Sequence, residues 1–155
     1  MNEINSHINI DKYPNCIWVN ENWLSVVFED DWGNGCNPRH LNKDILNTLI
    51  NVVSEIGEQT AFFSDPNLND NRSGVKLSEL DSLQIVSSSF YVVGSKGWGI
   101  CGTGDGWCVV GGNVSIMRSF INLSGGFEKI RNSYQTSVQT LAEHTDFLRQ
   151  NFKNA

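Results

Sequence analysis

The sequence predicts an α+β fold, a single domain built on one antiparallel or mixed sheet with helices on one face. Three observations predict it. The segment Ser88–Gly112, SSFYVVGSKGWGICGTGDGWCVVGG, sets short pieces rich in Val, Ile, Tyr, Phe and Trp between Gly-rich breaks, the composition of strands joined by tight turns. The segment 42–57 carries Ile45, Leu49, Val52, Val53 and Ile56 at helical spacing,. Strand-like segments occupy the middle of the chain and helix-like ones flank them, and hairpin breaks this short join antiparallel neighbours.

The elements follow in order. Residues 1–15 are polar and Asn-rich and are expected to form a loosely ordered arm. Ile17–Val19 and Trp23–Phe28 (WLSVVF) predict strands, the second of them the stronger. EDDWGNGCNPRH then has a turn-forming residue at nearly every step,. Asn42 is placed to cap the first helix, Leu46 and Ile50 widen its stripe, and Gly57 stops it. Gln59–Ser64 predicts a strand, DPNLNDNRSG an exposed loop, and Lys76–Ser82 a helical turn. The meander at about 88–112 contains the apolar pieces Phe90–Val93, Trp98–Cys101 and Trp107–Val110. Asn113 or Ser115 then opens a helix through Ile121, broken by Ser124-Gly125-Gly126. A last helix is expected over about 127–152, with Phe127, Ile130, Tyr134, Val138, Leu141, Leu148 and Phe152 on one face.

A chain of 155 residues fits one domain and buries roughly 70% of its extended surface, enough for a core without staples. No apolar run approaches the length of a membrane span. The first residues lack the basic start and apolar core of a signal peptide, so a cytoplasmic location is expected. Cys16, Cys36, Cys101 and Cys108 are then expected as mostly buried, free thiols. The net charge is −6. It disfavours nucleic acid and anionic membrane as direct partners and suits a basic protein. The acidity is concentrated early. Glu3, Asp11, Glu21, Glu29, Asp30 and Asp31 face only Lys12 within residues 1–31.

Few motifs carry chemistry. GWGICG, Gly97–Gly102, has dinucleotide-site spacing but lies inside the meander, where hairpin glycines explain it. Asp65, Asn67 and Asn69 fall at calcium-loop positions, yet Asp70 stands where Gly is needed and Lys76 where Glu is needed. Cys36, His40, Cys101 and Cys108 lack zinc-knuckle spacing. Flanking the GTGDG turn, Cys101 and Cys108 are candidates to face each other on neighbouring strands. Neither a metal nor a cofactor is expected. Cys36 with His40 is the best placed nucleophile–base pair, and Asp30 or Asp31 is available to orient it.

Glu29-Asp30-Asp31-Trp32 is the feature with most functional content. Consecutive carboxylates repel one another unless solvated or paired. At a strand end beside Trp32 they read either as a solvated strand end or as an acidic recognition patch with an aromatic anchor, Trp32 being the Trp expected to be exposed. Trp18, Trp23, Trp98 and Trp107 fall in predicted strands and belong to the core.

The meander resembles a pattern found among small bacterial cytoplasmic proteins encoded with toxins, including the immunity proteins of contact-dependent growth inhibition systems. The matching residues are Phe90, Tyr91, Val92, Val93, then Trp98, then Val109, Val110 and Gly111, with the helix through Phe120. The resemblance is confined to Ser88–Phe120, and the chain departs from it by its extra glycines and by Cys101 and Cys108. It implies a non-enzymatic inhibitor that binds the C-terminal domain of a cognate toxin. Many such toxins are nucleases with basic surfaces, which an acidic partner mimics electrostatically. The expected contact is Glu29, Asp30, Asp31 and Trp32, joined by Asp65 and Asp70. The alternatives are a small enzyme or ligand-binding domain using the Cys36/His40 loop, and a self-associating structural protein.

Overall fold

A computed structural model describes residues 23–29, 43–82, 90–102 and 107–126, together with Lys129. Strand β1 (Leu24–Glu29) comes first, followed by helix α1 (Lys43–Glu55), the hairpin β2 (Thr60–Asp65) and β3 (Asp70–Lys76), and a 3-10 helix at Leu77–Ser82. The meander β4 (Phe90–Gly94), β5 (Trp98–Gly102) and β6 (Trp107–Gly112) leads into helix α2 (Val114–Leu123). The strands form one six-stranded sheet in the order β1-β6-β5-β4-β2-β3, antiparallel throughout. The α+β expectation, the central meander and the helices near 42–57 and 113–121 are borne out. The expected arm at 1–15, the strand at 17–19 and, Lys129 apart, the helix at 127–152 lie outside the described residues. No described helix is long and apolar enough to cross a membrane.

Register decides which side chains share a face. Phe28 lies opposite Cys108, Val26 opposite Val110, Val110 opposite Ile100, and Ile100 opposite Val92. This row packs toward the helices, where the Phe28 ring meets Phe120 of α2 edge-on at 6.1 Å and 74°. Helix α1 packs against α2 and the 3-10 helix. Trp98, Phe63, Phe90 and Phe120 are among the largest fully buried side chains, each contributing about 2–3 kcal/mol through area removed from water. The alternate residues Tyr91, Val93, Cys101 and Val109 lie on the opposite face and are buried too,. Five-residue strands buried at every position, as in β4 and β5, show continuous apolar runs rather than alternation.

The caps follow local rules. Asn113 accepts a hydrogen bond from Ile116 N at 3.0 Å and caps α2,. At its other end Gly126 N donates to Ile121 O and Ser124 N to Phe120 O, with Gly125 at φ +98°, the left-handed stop that glycine favours. Gly57 does the same after α1 at φ +89°. The α1 stripe is rotated from the expected one. Leu46, Leu49, Val52 and Val53 are its buried residues, Ile45 is only partly buried, and Ile56 is exposed.

The expected exposed loop at 65–74 is a correction. The chain turns over Pro66–Asn69 and returns as β3, paired with β2 through a register shift between Ala61 and Phe63. Asp65 is buried at 2% exposure. Its Oδ1 accepts the Asn67 and Leu68 N–H groups at 3.1 and 3.3 Å, so the carboxylate builds the turn. Polar composition concealed β3 because only Val75 of its seven residues is buried.

The two meander thiols do not face each other. Cys101 pairs with Val109 and Cys108 with Gly102, so alternation sends them to opposite faces of the sheet. Neither forms a disulfide, and both are buried. Peptide-resolved alkylation of the native protein is expected to label them at least about a hundredfold more slowly than an unfolded cysteine, because only opening of the sheet exposes them. A peptide pair cross-linked through Cys101 and Cys108 would contradict this register.

Candidate functional site

Glu29 is the last residue of β1 and lies opposite Trp107 in register. The acidic run therefore starts at the last residue of β1. Asp30, Asp31, Trp32, Cys36 and His40 lie outside the described residues. Phe28, one residue before Glu29, lines an open groove of about 350 Å³ with Asp44, Ile45 and Thr48 of α1, Leu123 and Ser124 at the end of α2, and Lys129. Leu123 is 62% exposed, so the groove has an apolar wall that water reaches. The strand end, the start of α1 and the end of α2 converge there.

Asp65 and Asp70, expected on the same surface, have other roles. Asp65 is enclosed in its turn. Asp70 holds Arg72 through two hydrogen bonds, Nε to Oδ1 at 3.0 Å and Nη2 to Oδ2 at 2.7 Å. The same guanidinium lies 5.4 Å above the centroid of Phe63. The hydrogen bond from Arg72 holds the Asp70 carboxyl below its ordinary value, and the nearby positive charge acts in the same direction,. Folded Asp70 thus binds its proton more weakly than the unfolded chain does. The stability it contributes is present above the unfolded carboxyl value and is lost as pH falls through the lower folded value. Both side chains are part-exposed, so the contribution is expected below about 0.5 kcal/mol and screened by salt. Comparing Asp70→Asn with the parent in urea at pH 7 and at acid pH checks it, the gap narrowing as the pH falls,.

Glu58 escaped the sequence reading altogether. It follows the α1 stop, where its N–H donates to Val53 O, and it is buried at 6% exposure. Its Oε1 accepts the Ser95 hydroxyl at 2.9 Å. Its Oε2 accepts Lys96 N at 2.8 Å and Trp98 Nε1 at 3.0 Å. One carboxylate thus ties the end of α1 to the β4–β5 turn. Beside it opens a cleft of about 390 Å³.

Comparison with protein-family models, curated proteins and solved structures finds no match. Among the described residues no group of three or more His, Cys, Asp or Glu is arranged to hold a metal ion. Among the described residues two places have functional shape, the groove lined by Phe28 and the cleft at Glu58. Position on β1 made the acidic run legible, but not the groove. The cleft depends on contacts between residues 37 to 40 apart in sequence, a separation no local pattern signals.

Proposed function

We propose that this chain is a non-enzymatic immunity protein that binds and neutralises a cognate bacterial toxin domain, a basic nuclease, through its acidic surface. The observation that carries the reading is the placement of Glu29 at the end of β1, one residue beyond Phe28 and its groove. A run of carboxylates that begins in sequence one residue after the groove-lining Phe28 supplies, with that apolar recess, two parts of a protein-binding surface. The charge accelerates encounter with a cationic partner. The recess formed with Ile45 and Leu123 accepts an apolar anchor. The net charge of −6, concentrated in the first 31 residues, supports the same reading. A nuclease must present cations to hold phosphate, and an acidic protein competes for that surface. The contact is assigned to Glu29, Asp30, Asp31 and Trp32. Asp65 is withdrawn from it because it is buried, and Asp70 because Arg72 already neutralises it.

Association kinetics with the C-terminal domain of the neighbouring upstream reading frame test the assignment. Wild-type association is expected to slow steeply with added salt. The triple variant Glu29→Lys, Asp30→Lys, Asp31→Lys is expected to associate at least about tenfold more slowly at low salt, with a flatter salt dependence. Unchanged kinetics would remove the acidic run from the interface.

A further inference from the structure

The cleft at Glu58 is separate from the groove at Phe28 and has its own chemistry. Glu58, Thr60, Phe62, Ser73, Val93 and Ser95 are among its lining residues. The Glu58 carboxylate is held by three neutral donors, a hydroxyl, a backbone amide and an indole. Lys96 contributes its backbone N–H to that set. Among the described residues Glu58 has no cationic partner. A buried carboxylate without a counter-charge is costly to desolvate, and its three donors fix it in place at the cleft. Oε2 already accepts two hydrogen bonds and Oε1 one, which leaves Oε1 able to accept another.

The surroundings select the kind of cation. Magnesium or calcium calls for several oxygen ligands, usually with more than one carboxylate, and Glu58 is the only acid among the described lining residues. Thr60, Ser73 and Ser95 instead offer hydroxyl oxygens to N–H donors, and Phe62 adds an aromatic ring to the wall, a partner suited to an organic cation. A volume of about 390 Å³ lies within the range of small-ligand sites. We propose that this cleft binds an alkylguanidinium or alkylammonium group, with Glu58 as the charged acceptor and the hydroxyls completing its hydrogen bonds.

Methylguanidine titrated into the ¹⁵N-labelled full chain at constant ionic strength tests the proposal. The amide signals of Ser95 and Lys96 and the indole N–H signal of Trp98 are followed. Saturable shifts with a dissociation constant in the millimolar range are expected, the range open to so small a ligand. Glu58→Gln retains an oxygen acceptor for Trp98 and is expected to weaken binding at least about tenfold. Ser73→Lys, at an exposed position, brings a tethered ammonium to the cleft. It is expected to reduce methylguanidine binding at least about tenfold without disturbing the remaining spectrum, which keeps the test intact should Glu58→Gln fail to fold. Putrescine and a capped Arg tripeptide separate the sources. Preference for the peptide assigns the cation to a protein side chain, and preference for putrescine assigns it to a free amine. Shifts that do not saturate, or equal affinity in wild type and Ser73→Lys, would overturn the proposal. The outcome is independent of the toxin-binding experiment, which reads a different surface.

Discussion

Gly94→Ala and Gly102→Ala are each expected to destabilise the protein by about 3 kcal/mol or more, at the upper end for overpacking a core. The β4–β5 pair places an aromatic residue against a glycine at both ends, with Phe90 opposite Gly102 and Trp98 opposite Gly94. A Cβ on Gly102 would lie 2.2 Å from Phe90 Cε1, and one on Gly94 would lie 2.0 Å from Trp98 Nε1 and 2.6 Å from Glu58 Oε2. Neither ring has room to retreat, since Phe90 and Trp98 are both 0% exposed. Relief therefore requires the two strands to part or the ring to leave the core. Urea denaturation measures the loss. Gly57→Ala supplies the comparison, because its Cβ would meet nothing within 4 Å and only the positive φ of +89° is strained. That variant is expected to lose about 1 kcal/mol. Equal losses at Gly57, Gly94 and Gly102 would contradict the close ring–glycine packing.

Glu58→Ala is expected to cost about 3 kcal/mol. Removing the carboxylate takes the acceptor from Trp98 Nε1, Lys96 N and the Ser95 hydroxyl together. Ser95 and Lys96 are exposed, so water replaces the lost partner for both. The Trp98 indole is enclosed, and its orphaned N–H bears a desolvation cost of about 1–3 kcal/mol. The lost charge-assisted bonds and the space left by the side chain add to it. Glu58→Gln keeps an oxygen for the indole and is expected to lose only about 1 kcal/mol. Urea midpoints of the two variants, read with the Trp98 indole N–H resonance, check the pair. Equal destabilisation by Ala and Gln would mean that the hydrogen bonds to Glu58 contribute little.

These two sites also mark where a linear reading stops. The meander was legible because glycines separate its β-favouring runs. The boundaries of α2 were legible because Asn113 and Gly125 act through neighbours a few residues away. Strand β3 was not, because Asp70–Lys76 is mostly exposed and its place depends on pairing with β2. The α1 stripe was found, but its centre lies at Leu46 rather than Ile45 because packing against α2 and the 3-10 helix sets the rotation. Cys101 and Cys108 were placed on the correct strands, yet their faces depend on a register that spacing alone leaves open. Asp65 illustrates the same limit at a candidate site. Its composition suits a solvated loop, while the fold uses its oxygen to bind two backbone amides. Glu29 was correctly expected at the end of a strand, but the groove beside it forms only when α1 and α2 meet Phe28.

Survival of cells producing the C-terminal domain of the neighbouring upstream reading frame is the most direct measure of the proposed activity. Plating efficiency is compared with the chain co-expressed, with the triple Lys variant at residues 29–31 co-expressed, and with neither. The account predicts full growth with the wild-type chain, reduced growth with the variant at equal protein level, and death with neither. Death at the same frequency with and without the wild-type chain would contradict it.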